Sequence, residues 1–260
     1  MSAVEEKIRA ALGPQLRSLV FFGSCLSQTT QRPGSIPDVF AVVDALDPAL
    51  EALGVGALGR WIAPLLPPVT LCLEGIAKLN VIDAKTLAHE LTAQHDLYLA
   101  GRLGKRTECV YARDEECRAE IDRLRAQARE AIAHIALLGL PRHTLLEPVL
   151  RRCVSVSYDA EPRPERPAKI RALYDAFADW YPPRYTPLLI QRARAAGIEV
   201  HGQLLVDNRS DRTRSAEARG LSAILRKSWL RAMARWPKGM LLYRGWLPYL
   251  LGKLGRAWAF

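Results

Sequence analysis

Leu19-Val-Phe-Phe-Gly-Ser-Cys25 and Pro37-Asp-Val-Phe-Ala-Val-Val-Asp44 are the two stretches that decide how this chain is read. The first is an apolar run ending on Gly23-Ser24, and the second is an apolar run opening on Asp38. Both are expected as strands. Glycine permits a tight turn whose backbone N–H groups can face a triphosphate, and a nearby carboxylate can hold a divalent ion on its oxygens. Gly23 and Ser24 are candidates for the first task and Asp38 for the second. Two readings stay open from these runs alone: a polymerase-β-like nucleotidyltransferase site, or an ordinary buried hairpin.

The usual form of such a site carries two acids, two residues apart, on the second strand. Here Phe40 stands where the second acid would be, so another ligand must come from elsewhere. Val69-Thr-Leu-Cys-Leu-Glu74 is strand-like, and its alternation puts Thr70, Cys72 and Glu74 on one face. Glu74 is therefore a candidate metal ligand, with a solvated strand end as the alternative.

With 260 residues and 49% hydrophobic content, the chain is long and apolar enough to bury a core in one large domain or two small ones. Its five cysteines are scattered without Cys-x-x-Cys spacing, which argues against a zinc, iron–sulfur or disulfide framework. His89, His95, His134, His143 and His201 show no triad or metal spacing. No uninterrupted apolar run reaches the roughly 18 residues of a membrane span, and the amino end lacks a signal peptide's basic start and apolar middle. These features suggest a bacterial cytoplasmic protein in a reducing compartment.

The net charge of +10 favours a polyanionic partner. Glu217 is the last acid; Arg219, Arg226, Lys227, Arg231, Arg235, Lys238, Arg244, Lys253 and Arg256 follow it, interleaved with Trp229, Trp236, Trp246 and Trp258. Tryptophan favours the water–hydrocarbon boundary and long cationic side chains reach phosphate head groups, so this tail suits a membrane surface that it does not cross. The alternatives are a terminal helix packed on the body and, more remotely, single-stranded RNA stacked on tryptophan. Upstream, Asp114 to Leu138 carries Ile121, Leu124, Ala128, Ile132 and Ile135 at helical spacing. Asp159 to Pro167 is proline-rich and expected as a fixed loop, after which Ala168 to Trp180 is expected to resume as helix.

Several ordered segments together resemble one family, the mitochondrial-type CDP-diacylglycerol synthases, which are peripheral phosphatidate cytidylyltransferases. Phe22-Gly-Ser-Cys-Leu-Ser-Gln28 and Ile36-Pro-Asp-Val-Phe-Ala-Val-Val-Asp44 are similar to its Gly-Ser segment and single-Asp strand. Glu74-Gly-Ile-Ala-Lys78-Leu-Asn-Val-Ile82 resembles its acid-Gly strand, and Leu97-Tyr-Leu-Ala-Gly-Arg-Leu-Gly-Lys105 its most distinctive motif. Ser155-Val-Ser-Tyr-Asp-Ala-Glu-Pro-Arg163 and Gly220-Leu-Ser-Ala-Ile-Leu-Arg226, with Lys238-Gly239, resemble its later blocks. The stretch after Asp47-Pro48 departs from the family, being shorter and lacking its Trp-His and His-Tyr-Ser residues, and Asp159-Ala160 departs too.

The resemblance implies an α+β fold: a polymerase-β-like nucleotidyltransferase domain with a mixed sheet and flanking helices over residues 1–112. A small helical, winged-helix-like domain over 113–190 and the basic Trp-rich membrane-associating segment over 191–260 would follow. It implies Mg²⁺ held by Asp38 and Glu74 on the triphosphate of CTP, Gly23 and Ser24 cradling phosphates, and phosphatidate attacking with loss of pyrophosphate. Lys78, Arg102 and Lys105 are candidates for the remaining positive charge, against a solvated strand residue, a capping or ion-pair role, and a surface charge. Tyr158 and Arg163 are further candidates for substrate binding. The enzyme would sit peripherally on the inner face of the cell membrane, and nucleic acid is not an expected partner. A different phosphorylated acceptor, or an inactive relic of the fold binding anionic lipid or RNA, are the competing readings.

Overall fold

A computed structural model describes residues 2–26, 36–73, 76–93, 96–159 and 167–242. Helix α1 (Ser2–Leu12) leads into β1 (Leu16–Phe22), which pairs antiparallel with β2 (Asp38–Val43). Two short helices, α2 (Leu46–Ala52) and α3 (Ala57–Ile62), lead through a 3-10 turn at Ala63–Leu65 to β3 (Val69–Leu73) and β4 (Ala77–Asp83). Helices α4 (Ala84–Ala93) and α5 (Leu97–Leu103) precede β5 (Thr107–Ala112). The five strands form one mixed sheet in the order β3-β4-β2-β1-β5, in which β2 and β4 run parallel.

Strand alternation sorts this sheet's side chains onto two cores. Val20, Phe22, Phe40, Val42 and Ile82 face a large cluster with α4, α5 and the helices that follow. Leu19, Phe21, Val39, Ala41, Leu79 and Val81 face a second cluster with α1, α2 and Ala63. The chain is α+β with helices on both faces of a mixed sheet, consistent with a nucleotidyltransferase-like fold.

Helix α6 (Glu115–Leu137) occupies the stretch expected to be helical, capped by Asp114, whose side chain accepts from the Cys117 N–H. Beyond it come β6 (His143–Leu145), α7 (Leu146–Asp159), α8 (Pro167–Asp175) and α9 (Tyr181–Ala195). The stretch from Ala168 to Trp180 is therefore one helix that stops at Asp175, with turns before α9. Strands β7 (Glu199–His201) and β8 (Leu204–Val206) complete a small sheet in the order β6-β8-β7, which joins residues 199–206 to the helical unit.

The last described element is the 32-residue α10 (Asp211–Leu242). Ser228, Arg231, Arg235, Lys238 and Leu242 recur every three or four residues on its body-facing side. Ser228, Arg231 and Arg235 converge on Asp96 at the start of α5, and Arg231 also pairs with Glu90 at 2.8 Å. The Lys238 ammonium donates to the carbonyls of Ala63, Leu66 and Pro68. Burial and the neighbouring Arg235 push its pKa down to about 7. Among the described residues, no helix is long and apolar enough to cross a membrane.

Candidate active site

The site is built at one end of the mixed sheet. Phe22, the last residue of β1, lies opposite Asp38, the first of β2, and Asp38 lies opposite Lys78 on β4. This register brings three chain segments to a single edge. The Lys78 ammonium lies 3.5 Å from Asp38 Oδ1, and both side chains are about one-third exposed, so the pair is open to solvent at the strand ends.

Gly23 begins the 3-10 turn Gly23–Leu26 at φ +83°, in the left-handed region that side chains strongly disfavour. A Cβ there would lie 3.2 Å from Asp38 Oδ2. The backbone turn and the carboxylate are thus packed closely enough that only a hydrogen fits between them without adjustment. Gly23 and Asp38, two of the candidates, come together, and the turn carries the Ser24 backbone with them.

The second half of the site comes from α5 and α7. The Arg102 guanidinium sits 5.3 Å from the Tyr98 ring, 5.8 Å from the Tyr158 ring and 6.0 Å from the Phe22 ring. Lys105 Nζ is 3.4 Å from the centroid of the Tyr158 ring. Aromatic faces attract cations without neutralising their charge, so these contacts gather two cations and three rings into one cluster. Phe22 stacks on Phe40 with ring centroids 4.6 Å apart and connects this cationic aromatic cluster to the Gly23–Asp38 edge.

Gly104 has a packing reason of its own. A Cβ there would approach the Ala100 carbonyl oxygen to 2.8 Å and the Tyr185 hydroxyl to 3.0 Å. The buried Tyr185 hydroxyl donates to the Gly104 carbonyl at 2.6 Å, and burial holds its pKa well above the ordinary phenol value. This contact fixes the turn that separates Arg102 from Lys105.

Among the described residues, no group of three His, Cys, Asp or Glu side chains is placed to hold a metal. Asp38 is the described carboxylate at the site; Glu74 and Arg163 lie outside the described residues. Magnesium is commonly held by one or two carboxylates together with substrate phosphates, so one carboxylate beside a glycine turn suits that ion. Cys153 and Cys117 are buried and Cys72 and Cys109 partly so; burial pushes the Cys109, Cys117 and Cys153 thiols up, away from the reactive thiolate.

Sequence reading missed three contributors. Tyr98 shares Arg102 with Tyr158 and donates its hydroxyl to Asn80 Oδ1 at 3.3 Å. Asn80, buried on β4, also accepts from Thr70 at 2.8 Å and donates to the Val39 carbonyl, tying β3, β4 and β2 to α5. Asp96 caps α5 by accepting from the Tyr98 N–H at 2.9 Å. An Asp ahead of an apolar helix is a legible capping signal.

No curated protein matches the chain. A family comparison matches residues 66–235 to the family described as mitochondrial phosphatidate cytidylyltransferase. The match takes in Lys78, Arg102, Lys105 and Tyr158, while Gly23 and Asp38 precede it. Covering well over half of the sequence, it places the chain in the mitochondrial phosphatidate cytidylyltransferase family, which is a family of nucleotidyltransferase enzymes.

Proposed function

We propose that this chain makes CDP-diacylglycerol and pyrophosphate from CTP and phosphatidate at a membrane surface, with Mg²⁺ as cofactor. The observation that carries the reading is the Gly23 turn at φ +83° lying against Asp38, with Lys78 in register beside it. A backbone turn, a carboxylate and an ammonium at one sheet edge suit a metal-bound triphosphate.

Asp38, together with Glu74, would hold the metal, which when bound would offset charge on the triphosphate and on the attacking and leaving oxygens. The Gly23 and Ser24 backbone would receive phosphate oxygens. A phosphatidate oxygen attacks the α-phosphorus and the bond to pyrophosphate breaks. Phosphoryl transfer depends mainly on positioning and charge stabilisation, so Lys78, Arg102 and Lys105 would contribute as fixed cations, with Tyr158 orienting the last two. Arg163 is assigned to substrate binding by resemblance alone.

The order α6-β6-α7-α8-α9-β7-β8, with the first strand of the small sheet paired to the third, supports a winged-helix-like reading of the second unit. Exposed Arg219 and Arg226 and the absence of any acid after Glu217 support attachment of the carboxy-terminal segment to an anionic leaflet, at about 1 kcal/mol per basic side chain near the surface. A deletion after Gly220 would also remove Ser228, Arg231, Arg235 and Lys238 from the body. Deletion of residues 243–260 is therefore the cleaner test of attachment.

The reading is tested by following pyrophosphate and lipid product from CTP, Mg²⁺ and phosphatidate in anionic vesicles, with intact protein and Asp38→Ala. Product from the intact protein, lost by a factor of at least about a thousand in the variant, is expected. Failure of the folded, intact protein to form CDP-diacylglycerol would refute the phosphatidate assignment.

A further inference from the structure

Six of the seven large hydrophobic side chains that are exposed among the described residues lie on two elements distant in sequence. Leu58, Trp61 and Leu65 are 73%, 76% and 69% exposed on α3 and the turn after it, and Trp229, Leu230 and Met233 are exposed on α10. The two elements touch. Lys238 donates to the Ala63, Leu66 and Pro68 carbonyls, Arg235 donates to Pro67, and Leu242 packs so closely on α3 that a Cβ at Gly59 would meet it at 2.7 Å. The spacing of Leu58, Trp61 and Leu65 puts them along one face. Arg60, the only charged residue from Ala57 to Leu66, is turned away into ion pairs with Asp47 and Glu51.

We propose that the α3 face formed by Leu58, Trp61 and Leu65 is a second membrane-contacting surface, inserted into the interfacial region of an anionic bilayer. The proposal rests on the membrane-surface reading given above and extends it to a segment that precedes the family match. Two observations select lipid as the occupant. The described part of α10 ends at Leu242, against Gly59, and the sequence after it, residues 243–260, holds Arg244, Trp246, Lys253, Arg256 and Trp258 but no acid. Farther up α10, exposed Arg219 and Arg226 border a shallow cleft of about 390 Å³ floored by Ala218, Ser222 and Ala223. Exposed cationic side chains together with exposed Trp and Leu match the two kinds of group, phosphate and hydrocarbon, that a leaflet presents.

The test is sedimentation of the full chain with vesicles of phosphatidylcholine and phosphatidate, without CTP, comparing wild type with Leu58→Glu/Leu65→Glu. Both positions are exposed, so an unchanged unfolding midpoint is expected, with vesicle partitioning weaker by at least about tenfold. Unchanged partitioning overturns the proposal. So does a wild-type dimer that the double variant dissociates without loss of lipid binding, since a second copy would then be the occupant. If the double variant fails to fold, Trp61→Phe serves instead: brominated lipid should quench less of the tryptophan emission than in wild type, and equal quenching refutes insertion. Transfer to a short-chain, monomeric phosphatidate is scored separately. Its absence would sink the catalytic reading while leaving the partitioning result to stand.

Discussion

Replacing Asp96 with alanine should cost more stability than replacing any of the exposed candidate site residues. Asp96 is 1% exposed and accepts from the Tyr98 N–H at 2.9 Å and from the Ser228 hydroxyl at 3.2 Å. It also pairs with Arg231 at 3.2 Å and with Arg235. Losing the cap costs about 1 kcal/mol, and leaving a buried cation without its partner costs roughly 3–5 kcal/mol. Arg231 keeps its ion pair with Glu90, but Arg235 keeps no ion pair among the described residues, only the Pro67 carbonyl, the Tyr98 ring and the longer-range charge of Glu90. Burial already depresses the Arg235 pKa to about 10, so its charge is costly to strand. A loss of about 4 kcal/mol is expected, which for a chain of this size lowers Tm by roughly 8–16 °C. Urea and thermal unfolding would measure it, and Asp96→Ala/Arg235→Leu should recover part of the loss because the stranded charge is gone. A cost below about 1 kcal/mol for Asp96→Ala would refute the clamp between α10 and α5.

Gly23→Ala should lower kcat/KM by tenfold or more, since the residue sits at φ +83° and its Cβ would press on Asp38 at 3.2 Å; backbone strain of about 1–2 kcal/mol should show in unfolding. Unchanged kinetics would remove the turn from the site. Arg102→Ala should reduce kcat/KM about a hundredfold with little change in Tm, and Arg102→Lys should restore little of it, because the planar guanidinium stacks where an ammonium does not. Lys238 gives a pH signature. Its pKa is about 7 when folded and near 10.5 when unfolded, so between these values the unfolded chain binds more protons. Stability should therefore rise with pH across that window, by up to about 1.4 kcal/mol per unit from this group. Urea midpoints from about pH 7.5 to about pH 9 should show that rise in wild type and a flatter profile in Lys238→Met.

Much of the sheet was legible because β1 and β2 are buried on both faces and so read as unbroken apolar runs. Helix α6 was legible because its buried stripe is apolar and its outer face charged. The site was half legible. Gly23, Asp38 and Lys78 stand at strand ends, where local pattern predicts a turn and an edge. The ring contacts around Arg102 were not, because Tyr158 meets it from 56 positions away along the chain, and nothing local marks such a meeting. The segment Val154 to Tyr158 alternates like a strand, yet it lies in α7, where Leu146, Val149, Leu150, Cys153 and Val154 form the buried stripe.

Helix α10 is the instructive failure of pattern reading: Leu221, Ile224 and Leu225 pack on one core and Leu242 on the other, as expected, but from Ser228 to Lys238 the faces are exchanged. Amphipathic logic puts Trp, Leu and Met inward and Arg, Lys and Ser outward; here Ser228 and Lys238 are buried and Arg235 nearly so, while Trp229, Leu230 and Met233 face out. Each face of that arrangement is costly in water. The inward cost is offset by Asp96, Glu90 and a set of backbone carbonyls, all distant in sequence and thus invisible to any local window. The outward cost has no such compensation among the described contacts, and the same holds for Leu58, Trp61 and Leu65 beside it. Exposed apolar side chains on both elements, in an otherwise strongly basic chain, are what the proposed contact with lipid would relieve. On that proposal the buried charges have a positional role: they hold the body-facing side of α10 against α5 and the carbonyls after α3, which keeps Trp229, Leu230 and Met233 exposed.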